Sequence, residues 1–168
     1  MRWHGWMVPV LAASAALFSG PAAATAATTS TDSINGLEYA ATSAQGRFAG
    51  VASGALPGAW SVTVDHTPLG TSAAITGGDF HLATRRDGTL TVLSGHFTRG
   101  TVRQLSGFTG CASQRYAVHG VLDGVGPGSA GRGTGTFAAT LTHYRTKIFG
   151  QCVTYSASVS GTLSLASS

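Results

Sequence analysis

The clearest pattern in the chain lies near its C-terminus. From Val153 to Leu165 the odd positions are Val153, Tyr155, Ala157, Val159, Gly161, Leu163 and Leu165, and every position between them is Thr or Ser. A strict period of two means a strand with one face buried and one face wet. Earlier segments follow the same rule. Trp60, Val62 and Val64 alternate with Ser61, Thr63 and Asp65, and Phe80 and Leu82 stand beside Asp79 and His81. Tyr116, Val118 and Leu122 form another apolar face, and Phe137, Ala139 and Leu141 alternate with Thr136, Ala138, Thr140 and Thr142. Turn-forming clusters separate the runs at Leu56-Pro57-Gly58, Pro68-Leu69-Gly70, Arg86-Asp87-Gly88, Gly124 to Gly133 and Phe149-Gly150. Asp87-Gly88 suits a two-residue hairpin turn, and Gly77-Gly78 suits a bulge inside a long strand. No segment offers the 3.6-residue periodicity of a helix.

This pattern predicts an all-β domain over residues 45–168, built from seven or eight antiparallel strands. Long strands joined by short local turns favour an up-and-down β-barrel, which removes vulnerable edges; a β-sandwich is the alternative. Residues 27–44 are Thr/Ser/Ala-rich without clean alternation, and read as a flexible lead segment or a loosely attached first strand. The strand count turns on residues 89–105. A hairpin turn at Arg99-Gly100 gives eight strands and puts His66 and His143 at opposite ends. One long bulged strand gives seven and puts both histidines at one end. An even-numbered closed barrel favours the turn.

The N-terminus reads as an export signal. One arginine, Arg2, precedes an apolar run from Trp6 to Phe18, and Ser19-Gly20-Pro21 leads into the small residues Ala22 to Ala27. This is the order of a secretory signal peptide, over residues 1–26, cleaved after Ala26 or Ala24. The apolar run is shorter than the ~20 residues of a membrane span. No arginine pair marks twin-arginine export, and no Cys follows the run to take a lipid. The mature protein is therefore expected outside the cell, secreted and without a membrane span.

Composition narrows the class further. Glycine makes up 24 of 168 residues, roughly twice average usage, which disfavours helical bundles because glycine weakens helix interiors. The formal net charge of +4 falls to +3 once Arg2 is lost with the leader. That charge is spread along the chain without a basic stripe, so no nucleic-acid partner is expected. Cys111 and Cys152 are the only cysteines. In an oxidising compartment they are expected to pair, and a meander places both at one end of the barrel. Closing a loop of about 42 residues is worth roughly 4 kcal/mol in the chain-entropy account.

Chemical motifs are sparse. The sequence has no G-x-S-x-G elbow, and its only glutamate, Glu38, falls in the lead segment, which leaves no evident carboxylate pair for glycoside hydrolysis. The glycine-rich stretch from Gly124 to Gly135 opens no helix and so lacks the partner of a phosphate cradle. Histidines 66, 81, 96, 119 and 143 show no metal-ligand spacing, and neither metal nor cofactor is expected. One local feature stands out. The Phe137-Ala139-Leu141 face continues into His143 and Arg145, which would bring polar side chains into a barrel mouth, where small-ligand sites form. Arg145 can fork to a carboxylate or phosphate and His143 can carry a proton, while Tyr116 and Tyr155 would supply apolar walls with hydroxyl tips.

Together the signal, the late cysteine pair and the runs Leu141 to Arg145 and Tyr155 to Gly161 resemble small secreted β-proteins of actinobacteria. The strand-rich glycine pattern has a looser similarity to the barrel of allene oxide cyclases and dirigent proteins. That likeness implies a lumen for an oxylipin or a phenolic radical, and transfers no functional residue. Three functions follow. The missing motifs favour a secreted non-enzymatic barrel that binds a small apolar ligand. The alternatives are a small cyclase- or isomerase-like enzyme using His143, Arg145 and a tyrosine, and a structural or interaction protein contacting a cell-envelope component.

Overall fold

A computed structural model describes residues 28–107, 109–128 and 131–167. The export signal expected over residues 1–26 lies outside the described residues. Eight strands, β1 (Thr28–Ala41), β2 (Gln45–Gly54), β3 (Gly58–His66), β4 (Ser72–Arg86), β5 (Thr89–Ser106), β6 (Gln114–Pro127), β7 (Gly133–Ile148) and β8 (Gln151–Ser167), follow one another around a closed barrel. Every pair of neighbours is antiparallel, and β1 closes the ring by pairing with β8 from Thr28↔Ser167 to Leu37↔Ser158. The expected up-and-down barrel is therefore present with eight strands.

Where the eighth strand comes from differs from expectation. Residues 28–41, read as a flexible lead or a loosely attached first strand, form β1, a strand paired on both sides, so the described barrel includes Thr28–Ala41 as well as the strands from Gln45 onward. Asp32, Ile34, Gly36 and Glu38 face inward at every second position, with Ser33, Asn35 and Leu37 outside. Arg99-Gly100 is not a turn. It lies within β5, a strand of 18 residues that keeps its pairing to β6 through register shifts at Ser94/His96, Phe97/Arg99 and Gln104/Ser106. Bulges of this kind bend a long strand around a barrel wall without ending it. Because β1 rather than a turn supplies the even count, His66 and His143 share one end of the barrel.

Two hairpin turns share one backbone form. Asp87 and Gly88 both have positive φ, 49° and 79°, as do Phe149 and Gly150, 47° and 83°. These are the paired left-handed conformations of a type I′ hairpin, whose twist matches its flanking strands. The β3–β4 register shifts between Asp65 and His66, opposite Gly77 and Ile75, and Gly78 has φ 127°.

Inside, the alternating faces meet in one apolar core that includes Ile34, Trp60, Phe80, Leu82, Leu122 and Leu163. Phe137 packs edge-on against both Trp60 and Phe97, with ring centroids 6.1 and 6.0 Å apart. An eight-stranded barrel is just wide enough for side chains to fill. Each large apolar side chain so buried contributes roughly 1.5–3 kcal/mol relative to exposure. The middle of this barrel is packed, which leaves its two ends as places for chemistry.

Candidate functional site

The end of the barrel formed by residues 42–44, 67–71, 109–113 and the Phe149-Gly150 turn carries the polar cluster. Three strands bring it together, the neighbours β6 and β7 and, beyond β8, β1. On β1 the inward face Asp32-Ile34-Gly36 delivers Glu38, and a register shift between Glu38 and Ala40 leaves Tyr39 as the extra, exposed residue. On β7 the face Phe137-Ala139-Leu141 delivers His143, as its alternation predicts. On β6, Tyr116 lies buried opposite Leu141.

Glu38 Oε2 and His143 Nε2 are 3.0 Å apart, with side chains only 11% and 14% exposed. The pair is an ion-pair contact, and the buried Nε2 has no hydrogen-bond partner. The His143 ring meets Tyr116 edge-on at 5.5 Å. Burial pushes the Tyr116 hydroxyl above its ordinary value of 10.0, and the positive charge of Arg145 partly offsets this. Beneath the pair is a cavity of about 70 Å³ whose walls include Phe48, Val62, Leu69, Val102 and Val118, with His66 at its edge. The His66 ring is oriented by its own neighbour, Nδ1 lying 2.7 Å from the Thr67 carbonyl.

Of the residues expected in this mouth, His143 lines the cavity, Tyr116 packs against the His143 ring, Arg145 on the projecting β7–β8 hairpin acts on Tyr116 through its charge, and Tyr155 lies outside. Tyr155 shares the parity of buried Ala157 and Val159, but a register shift opposite Tyr144/Arg145 leaves it unpaired. Its ring is 66% exposed and packs beside Tyr144 on the outside, centroids 6.4 Å apart. His66 joins the mouth, contrary to the expectation built on a turn at Arg99-Gly100. Glu38 was not expected there at all. Its signal was the alternation Asp32-Ile34-Gly36-Glu38, obscured because apolar Leu37 and Tyr39 occupy the outer face.

Cys111 and Cys152 form a disulfide, Cα atoms 5.4 Å apart across a sequence separation of 41. It lies at this same end and ties the β5–β6 connection to the start of β8, as the meander predicts. The opposite end holds a wider, more open recess of about 510 Å³, bordered by Leu56, Thr84, Leu93, Val125 and Leu165, with Arg132 the one charged residue among its described lining. Nearby, Asp32 is 1% exposed and accepts a hydrogen bond from the Leu56 N–H at 2.7 Å. That contact ties the chain entering β3 to β1. Size alone favours the recess, but among the described residues titratable groups converge on the smaller mouth, and convergence of polar groups on an apolar pocket marks a binding site better than volume does. Among the described residues no group of three His, Cys, Asp or Glu could hold a metal ion. Compared with models of protein families, with curated proteins and with solved structures, the chain matches none.

Proposed function

We propose that this protein is an exported, non-enzymatic barrel that takes a small ligand, or the end of a larger one, into the mouth beneath Glu38 and His143. The observation that carries this reading is the buried pair itself. A carboxylate and an imidazole lie 3.0 Å apart over an apolar cavity, yet Nε2 completes no hydrogen bond. Buried polar atoms ordinarily find a partner, and one left open is costly. A polar atom of a ligand, reaching both groups, would satisfy Nε2 while its short apolar part fills the space against Val62, Val102 and Val118. The cavity of about 70 Å³ suits a short alkyl group; drug-sized sites need roughly 300–1,000 Å³.

Native and denaturing mass spectrometry of protein from culture medium tests this directly, with butylamine, butanol and butyrate as added probes. An extra mass present only in the native spectrum, or probe-dependent quenching of Trp60 fluorescence, is expected and should disappear in Glu38→Gln. Binding equal in wild type and E38Q, or absent for every probe, would remove the mouth as a ligand site.

The convergence of His143 with a second titratable group favours one other reading, a small proton-transfer enzyme of the cyclase or isomerase kind. In it His143, held by Glu38, takes a proton α to a carbonyl and returns it. Deuterium exchange into butanone in D₂O, catalysed by wild type and abolished in His143→Gln, separates this from simple binding. Exchange no faster than in buffer rules it out for this substrate.

A further inference from the structure

The pairing of β7 and β8 outlasts the barrel. The last residue of β7 paired with β6 is His143, opposite Gln114, and the last residue of β8 paired with β1 is Ser158, opposite Leu37. Residues 144–156 pair only within this segment, from Tyr144↔Ser156 to Ile148↔Gln151. They form a two-stranded ribbon extending roughly 15 Å past the rim at the usual rise per residue. An isolated two-stranded ribbon is marginal in water, and the Cys111–Cys152 bond fastens this one to the barrel.

Its surface is the reverse of what solubility calls for. Phe149 at the tip is 102% exposed, and Ile148, Val153, Tyr144 and Tyr155 are exposed along its sides. Phe149 also has φ 47°, at the turn position where Asn, Asp or Gly is the usual occupant. A bulky aromatic there helps neither the turn nor the core. The ribbon carries Lys147 and Arg145 and no acidic residue. Exposed Arg47, Arg103 and Arg115 stand near the ends of β2, β5 and β6 at the same rim. The acids of this end are engaged, Glu38 by His143 and Asp65 by Gln45 Nε2 at 2.7 Å.

We propose that this ribbon docks the protein on an anionic lipid surface, Phe149 and Ile148 entering the headgroup–acyl boundary and Lys147 meeting the phosphates. An apolar tip ringed by cations matches such a surface in both shape and charge, and Tyr144 and Tyr155 suit its interfacial level. The proposal does not depend on what the mouth binds.

Vesicle flotation tests it. The protein is recovered from the medium of an exporting host, with its N-terminus checked by mass so that no part of the apolar 6–18 stretch is carried over. Wild type is expected to float with vesicles of equal phosphatidylglycerol and phosphatidylcholine, to bind pure phosphatidylcholine weakly, and to dissociate as salt rises. Phe149→Asn removes the aromatic ring and suits the left-handed turn, so its melting temperature should match or exceed wild type. Its binding should nevertheless fall by roughly tenfold or more, the loss of one buried aromatic. Lys147→Glu should weaken binding only to the anionic vesicles. The proposal is overturned by equal flotation of wild type and F149N, or by binding indifferent to phosphatidylglycerol. Absence of flotation together with concentration-dependent dimerisation that F149N abolishes also overturns it, and assigns the tip to a second copy of the chain.

Discussion

Trp60 fits inside the barrel because on its β2 and β1 side the neighbours along the row have no side chains. Gly50 lies opposite it on β2, and Gly36 opposite Gly50 on β1. A Cβ at Gly36 would fall 2.7 Å from Trp60 Cζ2. Gly36→Ala should therefore destabilise the fold by about 1–3 kcal/mol through overpacking, read as a lower urea midpoint at unchanged slope. Outward-facing Ser33→Ala should stay within about 0.5 kcal/mol. Tyr116 supplies a second test. Its hydroxyl titrates above 10.0 in the folded chain because it is buried. Above that pH the unfolded chain has lost this proton while the folded chain keeps it, so stability falls as pH rises further. Tyr116→Phe should flatten that alkaline decline in urea unfolding measured from pH 8 to 11. A decline identical in both proteins would place its origin elsewhere. His143 was legible because its face is cleanly alternating; Glu38 was not, because Leu37 and Tyr39 on the outside break the binary pattern that reveals an inward face.

Among the elements, the β7–β8 hairpin and β5 show how far alternation can be followed. Both have long apolar faces that the sequence displays, and in both a register shift re-aims side chains partway along. In β8 the shift turns Tyr155 outward, and in β5 the shifts let one strand run through Arg99-Gly100 where turn chemistry had suggested a break. A bulge adds one unpaired residue and leaves no compositional trace as strong as a hairpin turn does. The disulfide is an element-level device, because it fastens a ribbon that nothing else on the barrel pairs with. Replacing both cysteines by serine should cost up to roughly 4 kcal/mol in the chain-entropy account. The cost should appear first as proteolytic cleavage between residues 144 and 156 while the barrel stays folded. Cleavage appearing instead throughout the chain, at the global unfolding rate, would show that the bond secures the barrel and not the ribbon.

At the scale of the whole molecule, closure decides both stability and placement. β1 pairs with β2 along one side and with β8 along the other, and with it in place no strand of the ring is an edge. Closure by β1 also fixes which connections share an end, and so brings Glu38, His66, His143 and the ribbon to the same rim. A ribbon docked on a lipid surface would turn the mouth toward that surface. The segment that does this reads as a Thr/Ser/Ala-rich lead because half of its positions face the solvent and two of its inward ones, Asp32 and Glu38, are acids. If β1 is integral, a chain beginning at Gln45 exposes two unpaired strands, β2 and β8, together with the core that Ile34 covers. Open edges of that length recruit other chains. Such a variant should lose its cooperative melt, bind a hydrophobic dye and self-associate in sedimentation velocity. A synthetic peptide of residues 28–44, added in trans, should restore a monomer with a cooperative melt by strand addition. A Gln45–Ser168 chain that stays monomeric and melts sharply without the peptide would show that the other seven strands close by themselves, and that residues 28–41 decorate the barrel instead of completing it.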